Sequence, residues 1–354
     1  VKHPRHVLLG SQGGGVSIPV CDHYSGVEAR MLKSLQLQAD MTEEFGACVF
    51  DVTLDCEDGA AVGGEKDHAN MVVALVQQAR EAIKKEAIQG GVNKGPRVAV
   101  RVHPVDHPAF AQDVALIVGG AGAHLCHLMI PKVESVADVE RAVAAVDRVI
   151  ADRARPLPLH VLIESSGAVH RAFDIAAHAR VQSLSFGLMD FVSSHGGAIP
   201  ASAMGTATDS AGLDQFSHPL VVRAKLEIAS ACHAWGKVPS HCVVTEFSDT
   251  AAVSRTAGRA AREFGFTRMW SIHPSQIRPI IEAFAPDSAD VEQAAQIIAQ
   301  GERVAWAPMK FEGQLHDRAS YRYFWQVLER AHQTGRPLPG AARAWFESAS
   351  GAIQ

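Results

Sequence analysis

Short apolar runs alternate with helix-length amphipathic segments along most of this chain, and that alternation limits the fold more than any other feature. The clearest case is 159–192, LHVLIESSGAVHRAFDIAAHARVQSLSFGLMDFV. Here His160-Val161-Leu162-Ile163 and Ser185-Phe186-Gly187-Leu188-Met189 flank a helical pattern, and each run ends in a carboxylate, Glu164 and Asp190. Runs that are apolar throughout, rather than alternating, suit strands buried on both faces of a parallel sheet. Further runs at 6–9, 47–54, 97–102, 125–130, 238–244 and 268–273 raise the count to eight. Helical patterns at 26–42, 65–85, 109–118, 136–151, 218–234 and 249–264 separate them. Eight strands spaced by helices predict an α/β fold of the (β/α)8 TIM-barrel type. An open doubly wound sheet is the alternative, although no GxGxxG follows a strand. Ala285-Pro286-Asp287 marks a boundary, giving a barrel over 1–285 and a small helical C-terminal extension over 286–354. The extension is expected to be too small for a core of its own and to pack on a barrel, its own or a neighbouring subunit's.

Composition narrows the class of partner. A net charge of −5 and a pI near 6.4 give no basis for nucleic-acid or membrane-surface binding. No apolar run reaches the 18 or so residues of a membrane span, and the first apolar run is too short for a secretory signal. The six cysteines are scattered without a CxxC pair, which argues against a zinc ribbon or disulfide scaffold and leads us to expect a reducing, cytoplasmic setting. None of the 18 histidines forms an HExxH spacing.

Chemistry in a parallel barrel gathers at the C-terminal ends of the strands. Glu164 and Asp190, ending neighbouring strands, would lie side by side there. Paired hard oxygen ligands suit Mg²⁺, with Mn²⁺ as the alternative; two helix-capping acids are the simpler reading. Asp55-Cys56-Glu57-Asp58-Gly59 follows the second strand, and its acids repel one another unless a cation or donors compensate. Glu57 and Asp58 could orient waters on a metal, or belong to a solvated acidic loop. Arg101 ends the third strand, where its planar fork suits a substrate carboxylate, a developing enolate oxygen, or a structural ion pair with one of the acids. Gly187, Met189 and His273 are candidate substrate contacts, His273 being equally consistent with a packed, hydrogen-bonded histidine. Lys132 reads as structural or peripheral.

Together these stretches resemble the citrate lyase β-subunit-like proteins, the group that includes malyl-CoA and citramalyl-CoA lyases. The matching segments are VTLDCEDGAAVGGEKDHA, VAVRVHP, LMIPKVES, VLIESSGAV, LSFGLMDF, MWSIHPSQI and EGQLHD, in the family's order. The resemblance implies a barrel with a C-terminal extension, assembled as a homotrimer or hexamer. It implies Mg²⁺ on Glu164 and Asp190, with Glu57 and Asp58 behind bound waters. It implies a catalytic Arg101 gripping the 2-oxo or 2-hydroxy acid portion, and Asp317, reaching over from an adjacent subunit, acting as acid or base. The implied reaction cleaves or forms the C–C bond of a 3-hydroxyacyl-CoA through a metal-stabilised enolate. An aldolase acting on free 2-keto acids, and a catalytically silent barrel used as a binding subunit, are the competing readings. The chain departs from the family pattern at Arg101-Val102-His103, where Arg-x-Asn is usual. It also departs in the glycine-rich stretch 11–15, where basic residues usually help hold CoA phosphates.

Overall fold

The computed structural model describes residues 3–10, 18–88, 95–150, 156–206 and 212–347. Its central feature is a closed barrel of eight parallel strands in sequential order. In chain order the elements are α1 (Pro4–Leu9), β1 (Cys21–Ser25), α2 (Glu28–Phe45), β2 (Phe50–Asp55), α3 (Glu65–Ile88), β3 (Val98–Arg101), α4 (Phe110–Asp113), α5 (Gly119–Ala121), β4 (Leu125–Ile130), α6 (Val136–Val149), β5 (Leu159–Ile163), α7 (Ser166–His170), α8 (Ala172–Ala177), β6 (Val181–Phe186), α9 (Leu188–Ser193), α10 (Pro219–Ala234), β7 (Val238–His241), α11 (Thr250–Phe264), β8 (Arg268–Ser271) and α12 (Pro274–Phe284). Beyond the barrel come α13 (Ser288–Arg303), a hairpin of β9 (Met309–Phe311) and β10 (Gln314–His316), α14 (Arg318–Gln333) and α15 (Gly340–Glu347). The ring closes where Cys21 pairs with Phe50 on one side and Met269 on the other. Val52, Leu54, Val98, Val100, Leu128, Ile130, Val161 and Ile163 point outward into one core shared with the surrounding helices.

The barrel interior is layered. At the N-terminal ends of the strands, Arg268 bridges Asp22 and Asp51 at 2.7 Å each, and Arg97 meets Asp51 at 2.5 Å. His127 and His160 stack beside them, ring centroids 3.5 Å apart. Burial holds both imidazoles neutral, pushing His160 down to about 3. Two arginines thus balance two carboxylates in a dry plug. Above it, Tyr24 stacks on Trp270 with centroids 4.6 Å apart, packed with Met129 and Leu162. The uppermost layer carries the site.

The first strand differs from the expectation. Residues 6–9 form part of α1, started by Pro4 and the His3 cap, and the strand is Cys21-Asp22-His23-Tyr24-Ser25. This strand is polar yet wholly buried. Thr53 Oγ1 donates to Asp22 at 2.6 Å, and His23 bonds Ser271 and Ser34. An apolarity criterion cannot find a strand whose Asp22 and His23 gain their partners from across the barrel and from α2. The sixth strand is Val181–Phe186, earlier than expected, so Asp190 lies not at a strand end but in the first turn of α9. The glycine-rich stretch 11–16 lies outside the described residues.

The tail does have a core. Val291, Ile297, Ile298, Trp306, Met309, Tyr321, Trp325 and Leu328 form a cluster separate from the barrel's, and Leu8 of α1 joins it. Arg5 of α1 pairs with Glu329 at 3.0 Å. Residues preceding and following the barrel therefore make one helical unit, which meets its own barrel where Arg330 donates to the Thr267 carbonyl at 2.5 Å.

Lys225 shows the cost of a charge inside this packing. It lies fully buried on α10, donates to Gln215 Oε1 at 2.8 Å and sits 3.8 Å from the centroid of the Phe216 ring. Burial pushes its ammonium down from 10.5 to about 8. Between those values the unfolded chain holds the proton and the folded one does not, so the penalty is full below pH 8 and vanishes by about pH 10.5. Lys225→Met is expected to stabilise the protein by about 2 kcal/mol at pH 7. Denaturant melts should show that gain shrinking through pH 8 to 10.5; a gain that ignores pH would assign it to packing.

Candidate active site

Residues at or just beyond five strand ends, those of β2 to β6, build the site. β2 ends in Asp55, whose carboxylate accepts from Nε and Nη2 of Arg101 at 2.7 and 2.5 Å and from the main-chain N–H groups of Glu57 and Gly59. Burial pushes Asp55 up, but Arg101 and these N–H groups outweigh it and leave the carboxyl below its ordinary range. The fit requires glycine at 59, because a Cβ there would lie 2.2 Å from Asp55 Oδ2.

Arg101 ends β3. Its third contact, Nη1 to Glu57 Oε2, is 3.0 Å. Lys132 Nζ meets the other Glu57 oxygen at 2.5 Å and Asp58 at 3.6 Å. Glu57 is thus buried between two cations, whereas Asp58 is on the exposed rim. The structural role expected of Arg101 is present: it makes two hydrogen bonds to Asp55 and an ion pair to Glu57, and these do not use all five of its N–H donors.

Glu164 follows β5 and is buried. Its Oε2 accepts from the Lys132 main-chain N–H at 2.8 Å, presented by a left-handed backbone at Lys132 with φ 51°. Burial first, then the neighbouring charge of Asp190, pushes the Glu164 carboxyl up to about 8. Asp190 is half-buried at the start of α9. Gly187 between them has no room for a side chain: a Cβ would stand 2.5 Å from Glu164 Oε1. A buried carboxylate held by a single main-chain donor and raised by the charge of a second acid nearby offers the hard oxygen donors that suit a divalent cation. Gly187→Ala should displace Glu164 and weaken Mn²⁺ binding about tenfold or more, read by titration, with the circular dichroism of the barrel retained. Unchanged affinity would take Glu164 out of the metal's shell.

The other candidates divide. Met189 is half-buried in the same turn as Asp190. His273 caps α12 through Ser275 and stacks on Phe247 at 5.0 Å, which places it among exposed residues rather than in the acid cluster. Asp317 caps α14, accepting from Ala319 and Ser320, and lies in the helical tail unit. Sequence reasoning left open which acid Arg101 meets, and it read Lys132 as structural or peripheral, in keeping with its ion pairs to Glu57 and Asp58. The signal for the first was present, since an acid ending one strand stands in register with an arginine ending the next.

A closed parallel barrel with acids and an arginine at the C-terminal ends of its strands is an enzyme scaffold whose chemistry lies at that rim. Residues 31–274 match the HpcH/HpaI aldolase/citrate lyase family, and the chain belongs to that family of carbon–carbon bond-cleaving enzymes. It is 30% identical over 269 residues to an L-malyl-CoA/beta-methylmalyl-CoA lyase of Cereibacter sphaeroides, covering 73% of this chain and 79% of that one. A crystal structure of a citrate lyase from Burkholderia xenovorans LB400 is 46% identical, with a TM-score of 0.76 over 97% of this chain and 99% of that one. CitE of Mycobacterium tuberculosis shares the fold at 20% identity, with a TM-score of 0.60 over 89% of this chain and 98% of that one. Among the described residues no helix is long and apolar enough to cross a membrane.

Proposed function

We propose that this chain cleaves or forms the carbon–carbon bond of a 3-hydroxyacyl-CoA, with a divalent cation, Mg²⁺ or Mn²⁺, held by Glu164 and Asp190. The observation that carries the reading is the buried Glu164 carboxylate, raised by the charge of Asp190, with Arg101 fixed by Asp55 and Glu57. Two relatives support the substrate class: the Cereibacter enzyme is named for malyl-CoA substrates, and the Mycobacterium CitE structure holds magnesium, acetoacetate and coenzyme A. The cation would supply Lewis-acid stabilisation to a keto-acid oxygen. The chain's own groups do the rest. Arg101 turns the N–H donors that Asp55 does not engage to the keto acid, and its ion pairs stop it from swinging away. Lys132 neutralises Glu57, so negative charge is not added beside an incoming anionic substrate. Gly187 and Met189 flank the keto acid, and Asp58 on the rim orients water.

Asp317 completes the site from a neighbouring subunit in a homotrimer or hexamer, moving the proton at the acyl α-carbon. Asp317→Asn and Glu164→Gln should each lose activity, while mixed oligomers of the two regain a fraction of it, since some interfaces then combine an intact metal pair with an intact Asp317. Mixtures as silent as the parents would place Asp317 outside the reaction. The reaction itself is tested by supplying a 3-hydroxyacyl-CoA such as malyl-CoA with Mg²⁺ and assaying keto-acid release. Release abolished by chelator supports the proposal. Equal turnover of the free hydroxy acid would favour an aldolase that does not use CoA.

A further inference from the structure

We propose that Ser166 and His195 form a nucleophile–base pair at the barrel mouth that hydrolyses acyl thioesters, an activity separate from carbon–carbon bond cleavage. The two residues stand on the segments that deliver the metal pair: Ser166 lies two positions after Glu164, and His195 five after Asp190. His195 Nδ1 lies 2.6 Å from the Phe191 carbonyl oxygen, which can only accept, so Nδ1 carries the proton. Nε2 then holds a lone pair and accepts from the Ser166 hydroxyl at 2.9 Å. The Phe191 ring, 4.6 Å from the imidazole, holds the ring orientation from the side. A hydroxyl bonded to one imidazole nitrogen while a third group fixes the other is the arrangement that activates a serine. Unlike a structural hydrogen bond in the core, this one is open: Ser166 is exposed and His195 half-buried. Arg171 supplies a nearby cation, its Nη1 donating to the carbonyl of Gly167, the residue after the serine.

The step balances without an added oxidant or reductant. Ser166 Oγ bonds to the thioester carbonyl carbon, the C–S bond breaks, and the serine proton passes through His195 Nε2 to the leaving thiolate. Water then bonds to the acyl carbon with His195 taking its proton, the Oγ–C bond breaks, and the proton returns to Ser166. Thioester plus water gives carboxylic acid plus thiol. Choosing a CoA thioester as substrate rests on the function proposed above, because an acyl-CoA held at the metal pair would present its thioester near this rim.

The test uses the full-length protein with Mg²⁺ and acetyl-CoA, which has no hydroxyl-bearing carbon to cleave, and follows free thiol. Wild type should release CoA and show an acetylated Ser166 peptide on acid quench. Ser166→Ala and His195→Gln should each lower thiol release about 100-fold, while keto-acid release from a 3-hydroxyacyl-CoA stays within about twofold of wild type. Ser166→Cys, which keeps a nucleophile, should still acylate. No thiol release by wild type, or release unchanged in Ser166→Ala, overturns the proposal; so does release that disappears only in Glu164→Gln. Thiol release that depends on Ser166 in a protein yielding no keto acid would leave this proposal standing and remove the lyase reading instead.

Discussion

Glu164→Gln is expected to abolish Mg²⁺-dependent turnover, by about 1,000-fold or more, while making the metal-free protein more stable. The two effects share one cause. The Glu164 carboxyl is buried and, by that burial and the charge of Asp190, pushed up to about 8 from an ordinary 4.5. Between those values the folded protein keeps a proton that the unfolded chain has lost, so metal-free stability falls as pH rises through the window. An uncharged amide of the same shape removes that penalty, with a gain of up to about 3 kcal/mol at pH 7 that is nearly absent at pH 4.5. It also removes an anionic ligand. Melting curves taken with and without Mn²⁺ separate these terms: wild type should gain stability on adding metal, and Glu164→Gln should not. A variant that keeps turnover would remove Glu164 from the chemistry.

Arg101 carries the second large effect, and there activity and stability fall together. Arg101→Met leaves Asp55 buried with no cation and leaves Glu57 with Lys132 alone. Breaking a buried pair from one side typically costs about 3–5 kcal/mol, because the remaining charge has no partner. Arg101→Lys restores charge but not the fork: one ammonium cannot meet both Asp55 oxygens and Glu57 while still offering donors to a substrate. We expect Arg101→Lys to recover part of the stability lost in Arg101→Met yet remain about 100-fold down in kcat/KM. Denaturant midpoints and steady-state kinetics on the same preparations check both. Full recovery of kcat/KM by lysine would assign the arginine to structure alone.

Most of the barrel was legible because its strands carry apolar residues on their outward face, as at 128, 130, 161 and 163, and its helices are amphipathic. β1 was not legible. Its Asp22 and His23 look like loop residues until Arg268, Thr53, Ser271 and Ser34, far away in sequence, are brought against them. The tail core was hidden for a similar reason, since it borrows Leu8 from the other side of the barrel sequence. At the site, Glu164 and Arg101 follow from their positions at strand ends. The part played by Lys132 does not, because it depends on a left-handed backbone that no residue type announces at a lysine. Asp190 was expected at a strand end and lies beyond it, because the apolar run before it continues through the strand end into the first turn of α9.

A crystal structure of the protein soaked with Mn²⁺ and a small keto acid such as pyruvate or glyoxylate, with the ion located by its anomalous signal, tests the central claim most directly. The account predicts one ion at the C-terminal mouth, with oxygens of Glu164 and Asp190 both at about 2.0–2.6 Å and Arg101 on the keto acid. An ion bound elsewhere, or the two carboxylates turned away from a shared ion, would contradict it.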